Sequence, residues 1–308
     1  MQLGSVDIIL PIYKPNKSVF QAIDSVLSQT YEEYILYIVD DASKGNFLKD
    51  IQNHYGNNWK IRYLTLDKNS RQAFARNFAI EQGDSEFIAF IDQDDVWLKN
   101  KLEIQIEYIQ KKKKDALHGN LEFIDVQGNV ILHEESKIEN RSRSIILWEE
   151  NSNRDISNMI LKKPNLRIIS SLIRRSIFES IGGFKAQFFG GEDELFWYEI
   201  SRTGNIGYIN QLLFQRRIHD SNAVKVFRSE RFLGYYNAVN YIKLNHTDFD
   251  QEIIQMKHNE IAYNFLKISL KEKKIFMFFQ SILIVLRNHK LFCIKKILSL
   301  IFNYRKIT

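Results

Sequence analysis

The first hundred residues alternate between short apolar runs and longer stretches with helical spacing. Val6–Leu10 is a compact, mainly apolar run stopped by Pro11 and Pro15, which predicts a buried strand, and Ser18 can cap a helix reaching about Gln29. Tyr34–Val39 predicts a second strand ending in Asp40 and Asp41, followed by a helix over about Asn46–Tyr55. Ile61–Leu66 and Arg71–Gln82 repeat the unit, and so do Phe87–Ile91 and a helix from Leu98 to about Lys111. Four β-α units in succession imply a mostly parallel sheet with helices on both faces. Ligands collect outside the carboxyl ends of such strands, and here those ends carry Pro11–Pro15, Asp40-Asp41 and Asp92–Asp95.

After Asp115 the rhythm changes. Leu117–Val126 reads as a strand with a turn at Gln127-Gly128-Asn129, and the polar segment from His133 to Asn165 is long enough for a lid or acceptor-site cover. Pattern returns at Leu166–Ile173 and in RRSIFESIGGF, where Gly182 and Gly183 can end a short helix. Gly190-Gly191 leads into Glu192, Asp193 and a helix over Leu195–Arg202; strands follow at Ile206–Ile209 and Leu212–Ile218, ending at His219. Helical spacing resumes in Phe227–Leu244 and Ile253–Leu270, an α-helical appendage.

Asp92, Asp94 and Asp95 at one strand end repel one another unless a cation lies between them. A divalent metal suits hard carboxylate oxygens and leaves positions for phosphate. On this stretch alone, a solvated turn with an Asp helix cap accounts for the residues equally well.

A chain of 308 residues with 44% hydrophobic content can bury a full core and leave material for an appendage. The single cysteine, Cys293, excludes a disulfide framework and fits a reducing compartment, and MQLGSVDIIL lacks the pattern of a signal peptide, so a cytoplasmic location is expected. The net charge of +6 is a property of the tail: Lys271–Thr308 carries nine Lys or Arg against one acid, leaving 34 bases against 36 acids before it. That distribution argues against a nucleic-acid partner for the main domain. The apolar runs Ile275–Leu286 and LFCIKKILSLIF are too short to span a bilayer, but with their lysines they suit a helix lying on the cytoplasmic face of an anionic membrane. Packing on the core, or on a second copy in a homo-oligomer, is the other reading of the tail.

The ordered set LPIYKP, VDDAS, SRQAFARN, FIDQDDVW, IGGF, GGEDELFW and RRIH, spanning about residues 4–222, resembles the family 2 glycosyltransferases, nucleotide-sugar enzymes with the GT-A fold. The resemblance divides the chain into a GT-A domain at 1–222 (nucleotide-binding half 1–115, acceptor and catalytic-base half 116–222) and a helical region at 223–308. It implies that Pro11, Ile12 and Tyr13 form the loop over the nucleobase, that Asp40 and Asp41 read the base, and that Arg71, Arg76, Gln93 and Glu192 lie near the donor. Asp94 matches the metal ligand, with Asp92 as its partner toward ribose and metal and His219 beside the metal or diphosphate. Asp193 matches the general base. Lys14 departs from the family, which commonly has Asn there.

The expected activity is inverting transfer, with Mn2+ or Mg2+, from a nucleoside-diphosphate sugar, UDP-hexose first, to a glycan or lipid-linked acceptor in bacterial surface-polysaccharide synthesis. A dTDP-rhamnose donor and a non-catalytic nucleotide-sugar-binding scaffold are the alternatives. Residue chemistry alone also leaves bland roles open: Asp193 as a helix cap, His219 as a satisfied strand-end histidine, Arg76 as a helix-to-loop stitch, and Trp97, Trp148 and Trp197 as core rather than sugar platforms.

Overall fold

The computed structural model describes residues 2–131, 157–162, 166–219, 228–246, 250–272 and 274–288. The chain forms two compact units, one of residues 1–160, 165–186 and 196–219, the other of residues 161–164, 187–195 and 220–308.

The first unit holds a sheet of nine strands. In chain order the elements are β1 (Gln2–Ile12), α1 (Ser18–Leu27), β2 (Tyr34–Asp40), α2 (Phe47–Tyr55), β3 (Ile61–Thr65), α3 (Arg71–Ile80), β4 (Ser85–Phe90), β5 (Val96–Trp97), α4 (Lys101–Lys111), β6 (Ala116–Ile124) and β7 (Val130–Ile131). There follow α5 (Ser157–Lys162, its last two residues in the second unit), a 3-10 turn (Ile168–Ser170), β8 (Leu172–Arg174), α6 (Arg175–Ser180), α7 (Glu192–Thr203, its residues 192–195 in the second unit) and β9 (Ile206–Arg217). The strands are ordered β3-β2-β1-β4-β8-β6-β9-β5, with β7 on β6. The four expected strands pair in parallel as β3-β2-β1-β4.

Beyond β4 the short β8 enters antiparallel, and β6 pairs antiparallel to it. β9 lies parallel to β6, so β4, β6 and β9 all run the same way. The carboxyl end of β9, with His219, therefore emerges at the same edge as the carboxyl end of β4, with Asp92–Asp95. That edge is also where the chain order reverses about β1, the usual place for a ligand in an open α/β sheet.

Burial explains the apolar runs. Val6, Ile8, Ile9 and Leu10 of β1, Phe87–Phe90 of β4 and Ile91 just after it have no exposed surface, as strands covered on both faces require. Asp7 interrupts the β1 run and is buried too, because Arg175 donates to it at 2.5 Å and the Ser85 hydroxyl at 2.7 Å. Burial nonetheless holds its carboxyl above the usual range, against the opposing pull of Ser85 and Arg175. A side chain at Gly83 would collide with that carboxylate, which explains why glycine precedes β4.

Several local expectations are corrected. Asn16, not Ser18, satisfies the start of α1: its side-chain oxygen accepts from the Ser18 backbone N–H at 2.7 Å. α4 begins at Lys101 rather than Leu98, because Val96–Trp97 is drawn into a strand against β9. The two strands expected over 206–218 form one strand, whose register against β6 shifts around Asn120. Leu166–Ile173 divides into a turn and a short strand. Most of the polar segment 133–165 lies outside the described residues; within it, 157–162 form α5. Trp97 and Trp197 are buried, and Trp148 is outside the described residues.

The second unit contains α8 (Arg228–Asn245), α9 (Gln251–Lys271) and α10 (Ile275–Asn288). Asp250 caps α9 through its side chain, and Ala262 and Leu266 of α9 pack against Phe278, Ile282 and Ile284 of α10. Among the described residues no helix is long and apolar enough to cross a membrane. The run LFCIKKILSLIF is outside them.

Candidate active site

Three loops meet at the carboxyl edge of the parallel strands, and hydrogen bonds stitch them together. After β1, the Tyr13 backbone N–H donates to the Gln93 side chain at 2.8 Å, and Gln93 returns a longer bond to the Tyr13 carbonyl. The Lys14 backbone N–H donates to the Ser43 hydroxyl in the loop after β2, at 2.8 Å. Pro11 and Ile12 are buried at the end of β1, so Tyr13 and Lys14 are the first exposed residues there.

Asp40 accepts from the Ser43 backbone N–H, while Asp41 accepts from the N–H groups of Ser70 at 2.6 Å and Arg71 at 2.8 Å. Asp41 thus sets the start of α3, and burial raises its carboxyl above the usual range despite those bonds. Lys14, Ala42 and Arg71 all adopt left-handed backbone conformations, with φ between 46° and 69°. Such strain in residues other than glycine persists where surrounding contacts over-determine the loop, and it concentrates at ligand sites.

From α3, Gln72 and Arg76 both hold Asp92. Gln72 donates to the Asp92 carboxylate, and Arg76 does so at 3.2 Å while its guanidinium lies against the rings of Phe90 and Phe184. Arg76 is almost wholly buried, whereas Arg71 is exposed at the start of the helix. The IGGF stretch is fastened to the same helix. The Asn77 side chain donates to the Phe184 carbonyl and accepts from its N–H, and a side chain at Gly183, whose φ is +65°, would press on Asn77.

Asp94 and His219 come together: an Asp94 carboxylate oxygen lies 2.6 Å from His219 Nε2. Neither side chain is more than a fifth exposed. Next to them Asp95 is buried, and its carboxyl is pushed well above its usual range by desolvation first and by the charges of Asp94 and Asp92 second. Arg217 lies just before His219 and is a residue the motifs contained without assigning. Its backbone N–H donates to Asp95 and its guanidinium to the Asp94 carbonyl, both at 3.0 Å. The same guanidinium donates to the Asp125 carbonyl and to Gln21.

These residues fit a divalent cation as a two-donor site, because a carboxylate and an imidazole converge beside excess negative charge. Among the described residues no group of three or more His, Cys, Asp or Glu side chains is arranged to hold a metal ion. One carboxylate oxygen of Asp92 accepts from both Gln72 and Arg76.

Glu192, Asp193 and Glu194 form the first turn of α7, where the helix dipole favours negative charge. Glu192 accepts from the Gly190 backbone N–H. Side chains at Gly190, Gly191 or Gly234 would strike the backbone of the facing segment, so all three glycines serve the close approach of residues 189–191 to α8. Glu194 is pushed up to about 7, by burial first and by the adjacent Asp193 charge second. In the folded protein it therefore keeps its proton over the pH range in which the unfolded chain has lost it.

The model of glycosyl transferase family 2 matches residues 7–182. The chain belongs to that family. It is an enzyme of the glycosyl-transferring class. Among its relatives is the E. coli protein WfgD, a UDP-Glc:alpha-D-GlcNAc-diphosphoundecaprenol beta-1,3-glucosyltransferase, 29% identical over 205 residues that cover 67% of this chain and 73% of WfgD. The putative teichuronic acid biosynthesis glycosyltransferase TuaG of Bacillus subtilis is 34% identical over 107 residues, 35% of this chain and 42% of TuaG. The chain spans only 33% of an uncharacterized glycosyltransferase from Rickettsia bellii.

The fold is shared with S. aureus TarS 1-349 in complex with UDP-GlcNAc, at a TM-score of 0.64 and 16% identity over 90% of this chain and 79% of that one. It is also shared with the mannosyltransferase PcManGT from Pyrobaculum calidifontis in complex with GDP-Man and Mn2+, at 0.62 and 12% identity over 98% of this chain and 79% of that one. The expected GT-A architecture is the one the family 2 chain adopts.

Proposed function

We propose that this family 2 enzyme is an inverting, metal-dependent hexosyltransferase that uses a UDP-sugar and a lipid-linked glycan acceptor in bacterial surface-polysaccharide synthesis. The observation that carries the reading is the Asp94–His219 pair, 2.6 Å apart at the carboxyl edge of the sheet beside the stitched loops. Support for the donor and acceptor classes comes from the name of WfgD and from the UDP-GlcNAc complex of TarS.

In this reading Tyr13 and the loop from Pro11 cover the nucleobase, Asp40 and Asp41 read it, and Asp92 faces the ribose. Exposed Arg71, at the start of α3, adds charge-assisted bonds to phosphate oxygens, and Glu192 shapes the entry to α7. A Mn2+ or Mg2+ ion held by Asp94 and His219 supplies positive charge to the leaving diphosphate. Asp193 takes the proton of the acceptor hydroxyl as that oxygen bonds to C1. The bond from C1 to the diphosphate oxygen breaks with its electron pair on the diphosphate, and this single displacement inverts the anomeric centre.

A panel of UDP-, dTDP- and GDP-sugars with Mn2+ and a diphosphate-lipid acceptor tests the donor by nucleoside diphosphate release. Release is expected with a UDP-hexose. Release only from dTDP-rhamnose moves the assignment to a rhamnosyltransferase, and none from any donor leaves the binding-only scaffold.

We further propose peripheral contact with an anionic membrane. Phe276, Phe279 and Leu283 of α10 are exposed, on positions other than those that pack on α9, and the sequence around and beyond them is rich in lysine. Each base near such a surface contributes about 1 kcal/mol. Deleting residues 271–308 is expected to move the protein from the membrane to the supernatant fraction; unchanged partitioning rejects the contact.

A further inference from the structure

We propose that Arg217 is the positioning residue that sets the Asp94–His219 pair, an inference that rests on the reading of that pair as the cation's donors. Arg217 is 3% exposed and grips both sides of the pair at once. Its Nε donates to the Asp94 carbonyl at 3.0 Å, fixing the backbone from which the Asp94 carboxylate projects. Its own backbone N–H donates to the Asp95 carboxylate at 3.0 Å, so the end of β9 is pinned to the loop after β4, and His219 follows two residues later.

The remaining guanidinium nitrogens are anchored outside the loop. Nη1 donates to the Asp125 carbonyl at 2.8 Å and Nη2 to Gln21 on α1 at 2.6 Å. The fork therefore ties the turn after β6 and helix α1 to the backbone of Asp94. A planar guanidinium can serve three such acceptors together; a lysine ammonium on a flexible stem cannot hold the same angles. Groups behind a ligand that fix its orientation contribute to affinity without touching the cation.

The full-length, donor-free protein provides the test, with Mn2+ binding followed by electron paramagnetic resonance and folding by thermal melting. Arg217→Met is expected to weaken Mn2+ binding by about 10- to 100-fold, and Arg217→Lys to recover part of the loss. Arg217→Met combined with His219→Ala should weaken Mn2+ binding by less than the two single losses multiplied together, because both act on one pair. A residue that merely held the fold together would lower the melting temperature and leave the affinity of the folded protein unchanged. Wild-type affinity in folded Arg217→Lys and Arg217→Met, or fully additive losses in the double variant, overturns the inference. Should Arg217→Met not fold, Arg217→Lys decides: wild-type affinity overturns the inference and weakened affinity supports it. If His219→Ala itself binds Mn2+ normally, the donor reading fails and this inference falls with it; weakened His219→Ala beside normal Arg217→Met overturns Arg217 alone.

Discussion

Replacing Asp193 by Asn is expected to lower turnover by about 10²- to 10⁴-fold while leaving donor affinity nearly unchanged. Asn keeps the size of the side chain and its place in the first turn of α7, but cannot accept the acceptor's proton at neutral pH. The neighbouring carboxylates do not substitute for it. Glu192 is committed to the Gly190 amide, and burial favours the protonated form of Glu194. A KM-against-kcat measurement, with donor binding by calorimetry, checks the split. Normal turnover by the variant removes the base assignment, whereas lost donor binding would mean that Asp193 serves the donor site.

Asp94→Ala is expected to abolish metal-dependent donor binding, with Mn2+ affinity falling by at least about 100-fold. Asp92 is held by Gln72 and Arg76 through bonds that do not involve the Asp94 carboxylate. Removing metal from the wild type with a chelator should reproduce the variant's donor affinity, and adding Mn2+ should restore the wild type only. Donor binding that is insensitive both to the chelator and to Asp94→Ala would show that diphosphate is held by the chain's own cations, Arg71 foremost.

The parallel half of the sheet was legible in the sequence because its strands are short, mainly apolar runs, each followed by a helical stretch. β8 was not legible: Leu172–Arg174 is three residues long, and only its place between β4 and β6 makes it a strand. The buried Asp7 was hidden for a related reason, since its partner Arg175 stands 168 positions away. At the site, the motifs supplied the residues but not their connections. Asp41 looks like a base-reading acid in sequence, while the structure also has it fixing the start of α3.

The grip of Gln72 on Asp92, the Asn77–Phe184 clasp and the fork of Arg217 join residues between 20 and 196 positions apart. No periodicity carries such pairings. Gly190 and Gly191 were read as a lead-in to a helix; the steric demand comes from α8, where Gly234 gives the complementary space.

The proposed mechanism requires one cation at Asp94 and His219 beside a donor diphosphate, and Asp193 at the acceptor hydroxyl. A crystal structure of the full chain with Mn2+ and a UDP-sugar measures this directly. Mn2+ bonded to Asp94 and His219 and to diphosphate oxygens, with the Asp193 carboxylate on the side of C1 opposite the diphosphate, is the predicted result. Metal bound elsewhere, or Asp193 directed away from C1, would contradict it.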